Sequence, residues 1–137
     1  MATPFLAALL GSGLLAGAPP AAAEKRFQEG RAALRSAAFS LPAAAKAFGD
    51  ACDAGHMAAC ANLGLQVQDG RGVPHDPARA AGLYAKACDG GEGIGCFNLA
   101  GLHAEGNGVA EDRARFAELM KRAETLYTKA CEAGDLQ

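Results

Sequence analysis

Apolar residues recur along most of the chain at the spacing of a helix face. The steps between them are three, one, three and one residues along Ala80, Leu83, Tyr84, Ala87 and Cys88. Cys60, Leu63, Gly64 and Val67 show the same steps, which are typical of amphipathic helices. The pattern predicts an all-α fold, with helices near residues 25–38, 42–54, 57–68, 76–89, 94–105 and 111–133.

Residues that favour helix ends flank these segments. Asp76 precedes Pro77, which predicts an N-cap followed by proline at the first helical position. Ser40, 36 residues earlier, takes the equivalent place before another predicted helix. Gly55 and the glycines at 90–91 follow predicted helices, where C-terminal caps belong. The ends therefore agree with the periodicity.

The sequence contains an internal repeat of helix pairs. ACDAGHMAACANLG at 51–64 returns as ACDGGEGIGCFNLA at 87–100, and DGRGVPHD at 69–76 returns as EGNGVAED at 105–112, both offset by 36 residues. A third copy, ACEAGDLQ, arrives seven residues late. Seven residues are about two helical turns, so the insertion is expected to lengthen the last helix. The apolar stripe stays continuous through Phe116, Leu119, Met120, Ala123, Leu126, Tyr127 and Ala130.

The first residues differ from the rest. Phe5 to Ala18 is apolar and uncharged, and two prolines and the run Ala21–Ala23 follow before Glu24. This predicts a signal peptide over 1–23, a capping helix over 24–41 and repeats over 42–137. No Lys or Arg precedes the apolar run, so an uncleaved anchor and a misassigned start stay open as alternatives.

Composition and charge exclude some partners. Half of the 137 residues are hydrophobic, and the net charge is −2 with both signs interspersed. A phosphate backbone or an anionic bilayer calls for a one-signed basic stripe, which is absent. We therefore expect no nucleic-acid partner and no membrane association after signal cleavage.

The cysteines form two pairs with the same spacing. Cys52 and Cys60, like Cys88 and Cys96, are eight residues apart. On one continuous helix their Cα atoms would lie ~12 Å apart, whereas a disulfide needs ~4.4–6.8 Å. The intervening glycines supply a turn, so each pair is predicted to staple two helices, as expected in an oxidising compartment.

Cys131 is the odd cysteine. It stands at the end of the last predicted helix, and the sequence closes at Gln137 before a partner at the repeat spacing. Two explanations stay open: a longer gene that supplies the partner, or a free thiol that forms an intermolecular disulfide and a dimer.

Together these motifs resemble the Sel-1-like repeats, in the cysteine-rich branch typified by the Helicobacter cysteine-rich proteins. The resemblance covers roughly residues 42–137 and is carried by LYAKACDGG at 83–91, CFNLA at 96–100 and GNGVAED at 106–112, with the matching positions one repeat earlier. It implies an α/α solenoid related to tetratricopeptide arrays and a scaffold for protein contacts. The branch often carries a β-lactamase or penicillin-binding label, and a eukaryotic relative is a respiratory-complex assembly factor.

Catalytic and metal motifs are sparse. The serine β-lactamase elements are absent, and after the predicted signal serine occurs only at Ser36 and Ser40. Cys52, His56 and Cys60 have the spacing of a metal face on one helix, but Gly55 and disulfide pairing argue against it. We predict no catalytic residue, no metal and no cofactor, with a β-lactamase-like hydrolase as the alternative. His75 and His103 are interpreted as structural.

Asn62 and Asn98 are the candidate partner-binding residues. Each lies two residues after the second cysteine of its pair, on the first helix of a repeat. An amide donates and accepts at once, which suits the backbone of an extended peptide, although fixing of repeat stacking is an equally open role. The sequence thus predicts a secreted or periplasmic scaffold that binds a protein or peptide, with hydrolase and assembly-factor alternatives.

Overall fold

The computed structural model describes residues 18–36 and 40–134. Within them the chain forms helices and no strand. The helices are α1 (Ala21–Arg35), α2 (Leu41–Asp53), α3 (Met57–Asp69), α4 (Pro77–Asp89), α5 (Gly93–Glu105) and α6 (Arg113–Glu132). Each helix packs against the next along the chain, and α3 also contacts α5. The predicted α/α solenoid is confirmed, and its three helix pairs are α1–α2, α3–α4 and α5–α6.

The helix ends follow the predicted caps. Ser40 Oγ accepts from the backbone nitrogen of Ala43 at 3.2 Å, and Asp76 Oδ1 accepts from that of Arg79 at 3.1 Å. Helix α1 begins at Ala21, earlier than predicted, and ends at Arg35. The predicted extension of this helix through residue 38 falls partly on 37–39, outside the described residues.

The core is built from small side chains packed against a few large ones. Phe48 and Tyr84 are fully buried, and each lies against a glycine of the preceding helix. A Cβ built on Gly30 would come within 2.6 Å of the Phe48 ring, and one on Gly64 within 2.5 Å of the Tyr84 ring. Helix α1 therefore packs on α2 as α3 packs on α4, although the sequence of α1 does not contain the repeat motif.

Both predicted disulfides are present. Cys52 bonds to Cys60 and Cys88 bonds to Cys96, with Cα atoms 4.7 and 4.6 Å apart. A turn lies between the members of each pair, and all four cysteines are buried. Each disulfide thus ties the end of one helix pair to the start of the next.

Helix α6 continues past the point where α4 ends. Gly90 contacts Met57. The equivalent residues 36 positions later are Leu126 and Gly93, and they also meet: a Cβ built on Gly93 would lie 3.4 Å from Cβ of Leu126. The 36-residue register is therefore kept until α6 passes the turn. Cys131 lies on the remaining overhang, exposed, rather than at the level of the paired cysteines.

The predicted signal peptide lies mostly in residues 1–17, outside the described residues. Its predicted cleavage site is described: Ala21–Ala23 form the first turn of α1, and Ala23 is buried. The domain boundary at residues 23 and 24 stays a prediction, as do the assignments at 135–137, which also lie outside the described range.

Candidate functional site

A cleft of about 320 Å³ opens between α1, α2 and α3. Its apolar lining comes from Phe48, which is buried, and from three leucines. Asn62 and Gln66, one turn apart on α3, supply amide groups. Three guanidinium side chains complete the lining. The leucines are Leu34, Leu41 and Leu65, and the guanidinium groups belong to Arg31, Arg35 and Arg71.

Gln66 holds the loop that follows α3. It is only 5% exposed, and its Nε2 donates to the carbonyl oxygens of Leu41 at 3.0 Å and Arg71 at 3.1 Å. Two acceptors on the same side set the orientation of the amide, because a flipped amide would bring its oxygen against two carbonyls. The Oε1 atom is buried and has no hydrogen-bond partner within residues 18–36 and 40–134. A buried acceptor without a donor costs ~1–3 kcal/mol.

The sequence reasoning identified Asn62 but not Gln66. Position 66 is occupied by Leu102 in the next repeat, so the repeat pattern presents it as a core position. Its polar side chain within an apolar stripe was the signal available in the sequence.

Asn98 lines a second cleft, of about 310 Å³, between α5 and α6. Its Nδ2 atom is buried and without a partner among the described residues. Around it lie Gln68, Phe97, Glu105 and Phe116, and none of the basic side chains that the structure describes lines this cleft. The structure therefore places the two candidate asparagines in separate clefts with different charge.

The proposed stacking role of the asparagines requires hydrogen bonds to a neighbouring helix. Within the described part of the chain no side-chain hydrogen bond involves Asn62 or Asn98. Gln68, near the end of α3, instead accepts a hydrogen bond from the Tyr84 hydroxyl of α4 at 2.7 Å. Both asparagine amides are thus left with hydrogen-bonding capacity.

His56 is engaged in the structure of the turn between α2 and α3. Its Nδ1 accepts from the backbone nitrogen of Ala59 at 3.2 Å, and its Nε2 lies 3.0 Å from Oε2 of Glu24. Since Nδ1 accepts, Nε2 carries the proton and donates to the carboxylate. The ring also stacks on Phe27, with centroids 4.0 Å apart. Sequence reasoning did not identify this N-cap, because histidine is not among the common N-cap residues.

The serine hydroxyl groups and the imidazole rings of His75 and His103 form hydrogen bonds with nearby backbone groups. The described residues contain no group of three His, Cys, Asp or Glu side chains placed to hold a metal ion. The Ser36 hydroxyl donates to the Ala33 carbonyl at 3.3 Å, while Ser40 caps α2. The Nδ1 atoms of His75 and His103 lie 2.6 and 3.1 Å from the carbonyl oxygens of Gln68 and Ala110.

Among the residues that the structure describes, four ionisable groups have clearly shifted pKa values. A hydrogen bond from Gln28 lowers the pKa of Glu24, and the contact with His56 acts in the same direction. Burial raises the pKa of Tyr84 far above 10.0, and the charge of Asp69 raises it further. Burial likewise raises the pKa of Glu92, and the neighbouring His56 acts in the opposite direction. It also raises that of Tyr127, and the charge of Glu92 adds to this shift.

The described helices do not meet the requirements for spanning a bilayer. None of them has both the length and the apolar character that a membrane crossing needs. Such a span takes about 20 predominantly apolar residues.

Comparisons with solved structures agree on the architecture. A Sel1 repeat protein from Oxalobacter formigenes matches with a TM-score of 0.70 and 25% identity, over 75% of this chain and 42% of that one. The uropathogenic Escherichia coli protective antigen c5321 matches with a TM-score of 0.71 and 28% identity, over 89% and 25%. Helicobacter pylori cysteine rich protein B matches with a TM-score of 0.66 and 25% identity, over 77% and 80%.

The first two of these proteins are much longer than this chain, which spans less than half of either. No protein of curated function matches the sequence. The family model described as Sel1 repeat matches residues 58–92 and 93–135, which together are more than half of the chain. The chain therefore belongs to the Sel1 repeat family.

Proposed function

We propose that the protein is an exported scaffold that binds an extended peptide segment of a partner protein. The observation that carries the proposal is the cleft between α1, α2 and α3, where Asn62 and the buried Gln66 lie beside an apolar surface. An extended peptide presents alternating main-chain N–H and C=O groups, which amide side chains can bind in both directions.

The shape of the molecule supports a binding role. Solenoids expose long surfaces built from equivalent positions of successive repeats. Leu65 is 42% exposed at the first cleft, and Phe97 is 48% exposed at the second. Exposed large apolar side chains beside unpartnered amides are typical of sites that receive a partner.

Peptide binding is tested by selection from a displayed library of random peptides on the disulfide-bonded protein. We expect selected peptides to bind in the micromolar range and Asn62→Ala to weaken binding at least tenfold. Ala47→Ser on α2, outside this cleft, is the matched control and should leave binding unchanged. The proposal fails if no peptide exceeds the background of the reduced, unfolded chain, or if selected peptides bind Asn62→Ala as well as the parent.

The proposal also places the protein outside the cytoplasm. Two internal disulfides and the likeness to Helicobacter pylori cysteine rich protein B are consistent with an oxidising compartment. Expression of the full chain in a Gram-negative host should yield periplasmic protein whose first residue is Glu24. Recovery of uncleaved protein in the cytoplasm, with its cysteines reduced, would contradict export.

A further inference from the structure

The cleft between α1, α2 and α3 is strongly basic, although the chain as a whole has a net charge of −2. Arg31 and Arg35 are one turn apart on α1, so they lie on the same face of that helix. Arg71 reaches the cleft from the loop after α3. Three guanidinium groups from two parts of the chain therefore converge on one opening.

None of the three arginines forms a salt bridge with a described residue. The ion pairs within residues 18–36 and 40–134 join other groups, and the basic partner on α1 is Arg26, which pairs with Glu29 at 2.9 Å. No acidic side chain of the described residues lines the cleft. Arg31, Arg35 and Arg71 are all exposed, and the guanidinium group of Arg31 also lies 5.8 Å from the centroid of the Phe27 ring, a contact that does not neutralise its charge.

Gln66 adds a second, independent requirement. Its side chain is 95% removed from solvent, and its oxygen lacks a donor within the described residues, while its nitrogen is already committed to two carbonyls. A ligand that completes this site must bring an N–H group to the amide and negative charge to the arginines. Apolar contact with Leu34 and Leu65 is also available.

We propose that this cleft selects an extended peptide with acidic side chains, whose carboxylates pair with Arg31, Arg35 and Arg71 while its main chain binds Asn62 and Gln66. This inference rests on the peptide-binding function proposed above. Guanidinium groups bind carboxylates through two parallel hydrogen bonds, which gives both strength and direction. Inorganic phosphate satisfies the arginines but offers neither an N–H group for Gln66 nor apolar side chains for the leucines.

The second cleft provides an internal comparison. The positions that follow Asn98 at the repeat spacing are Gly101, Leu102 and Asn107, in place of Leu65, Gln66 and Arg71. Glu105 lines that cleft, and no arginine within residues 18–36 and 40–134 does. Selection for acidic ligands is therefore a property of the first cleft, created by residues that the repeat does not share.

The test measures binding of three nonapeptide pools that differ only at alternate positions, which carry Glu, Gln or Lys. For the disulfide-bonded protein we expect the Glu pool to bind at least tenfold more tightly than the Gln pool, and the Lys pool to bind most weakly. The preference should shrink as salt is raised from 50 to 500 mM, because screening weakens exposed charge pairs.

Variants locate the effect. Arg31→Gln combined with Arg71→Gln should weaken binding of the Glu pool much more than binding of the Gln pool and so remove most of the preference between them. Arg113→Gln, an exposed arginine of α6 outside the cleft, is the matched control and should preserve the preference. Because all these side chains are exposed, the melting temperatures should agree closely, and a variant that does not fold is replaced by the corresponding Met variant, which also removes the charge.

The outcomes separate this inference from the function on which it rests. Equal binding of the Glu and Gln pools, with loss of both in Asn62→Ala, overturns the acidic preference and leaves peptide binding standing. Absence of binding by every pool overturns both. Displacement of the Glu pool by inorganic phosphate or a single-stranded oligonucleotide at lower concentration than by unlabelled Glu peptides overturns the assignment of the ligand as a peptide.

Discussion

The ammonium nitrogen of Lys86 lies 3.3 Å from the carbonyl oxygen of Cys52 and donates a hydrogen bond to it. The same relationship recurs 36 residues later, where Arg122 Nη2 donates to the carbonyl oxygen of Cys88 at 3.4 Å. Each basic side chain reaches the C-terminal turn of the second helix in the preceding pair. The Cys52 and Cys88 carbonyls already accept from the backbone N–H groups of Gly55 and Gly91 at 3.0 Å, so each basic side chain adds a second hydrogen bond and complements the negative end of the helix dipole.

Lys86→Met should therefore destabilise the protein by about 0.5–1 kcal/mol, because the apolar stem is kept while the donor and charge are lost. Lys86→Arg should be nearly neutral, since Arg122 makes the equivalent contact. Urea denaturation measures both. Lys25→Met, at an exposed position of α1, is the control, and an equal loss of stability in that variant would show that the Cys52 contact is not responsible.

Two helical glycines should respond in opposite directions to alanine. A Cβ at Gly64 would lie 2.5 Å from the buried Tyr84 ring, so Gly64→Ala should cost ~1–3 kcal/mol through overpacking. A Cβ at Gly82 meets nothing within 4 Å, so Gly82→Ala should stabilise α4 by ~0.5–1 kcal/mol through helix propensity. Thermal unfolding of the two variants checks the sign of each change, and stabilisation by Gly64→Ala would contradict the close packing described.

Removal of the second disulfide should lower the free energy of unfolding by ~2–3 kcal/mol, as expected for a loop closed by cysteines eight residues apart. The variant is Cys88→Ala with Cys96→Ala, made in a Cys131→Ala background to prevent dimer formation. Dithiothreitol should then destabilise this variant less than the parent, since one disulfide remains for reduction. Equal sensitivity of variant and parent to the reductant would contradict the pairing.

Glu92→Ser should stabilise the protein at pH 7 by about 1 kcal/mol or more. Glu92 occupies the N-cap position of α5 without a side-chain cap hydrogen bond, which serine would supply. Burial also raises the pKa of Glu92, so the carboxyl group binds more protons in the folded state and its charged form opposes folding.

The pH dependence separates these two contributions to the Glu92→Ser effect. The contribution from the charge is present above the raised pKa and disappears below 4.5, where Glu92 is protonated in both folded and unfolded states. The difference in unfolding free energy between variant and parent should therefore decrease from pH 7 to pH 4, leaving the gain from the cap. A difference that grows on acidification would contradict the burial of this carboxyl group.

Cys131 should form an intermolecular disulfide. Its thiol is exposed on the overhang of α6, and the other four cysteines are paired. Under oxidising conditions a non-reducing gel should show a dimer that Cys131→Ala abolishes. A covalent dimer that persists in this variant, or a peptide map with Cys131 joined to another cysteine of the same chain, would require the pairing to be redrawn.

Local patterns in the sequence were sufficient for much of the fold. Helical periodicity identified all the described helices to within a few residues at most ends, and Ser40 and Asp76 were correctly identified as caps. The cysteine spacing predicted both disulfides, because an eight-residue separation is compatible with bonding only across a turn. These features depend on residues that are close together along the chain, so they can be predicted from a single sequence.

Other features were decided only by the tertiary structure, because they depend on distances between segments that no periodicity specifies. Arg31 and Arg71 are 40 residues apart in the sequence and line one cleft only because α1 and α3 both pack against α2. The repeat motif aligned Cys131 with the paired cysteines, whereas packing of Leu126 on Gly93 sets α6 in a register that carries Cys131 past the turn. A motif records the order of residues along the chain, and the position of a helix against its neighbours is determined by which side chains fit together in the core.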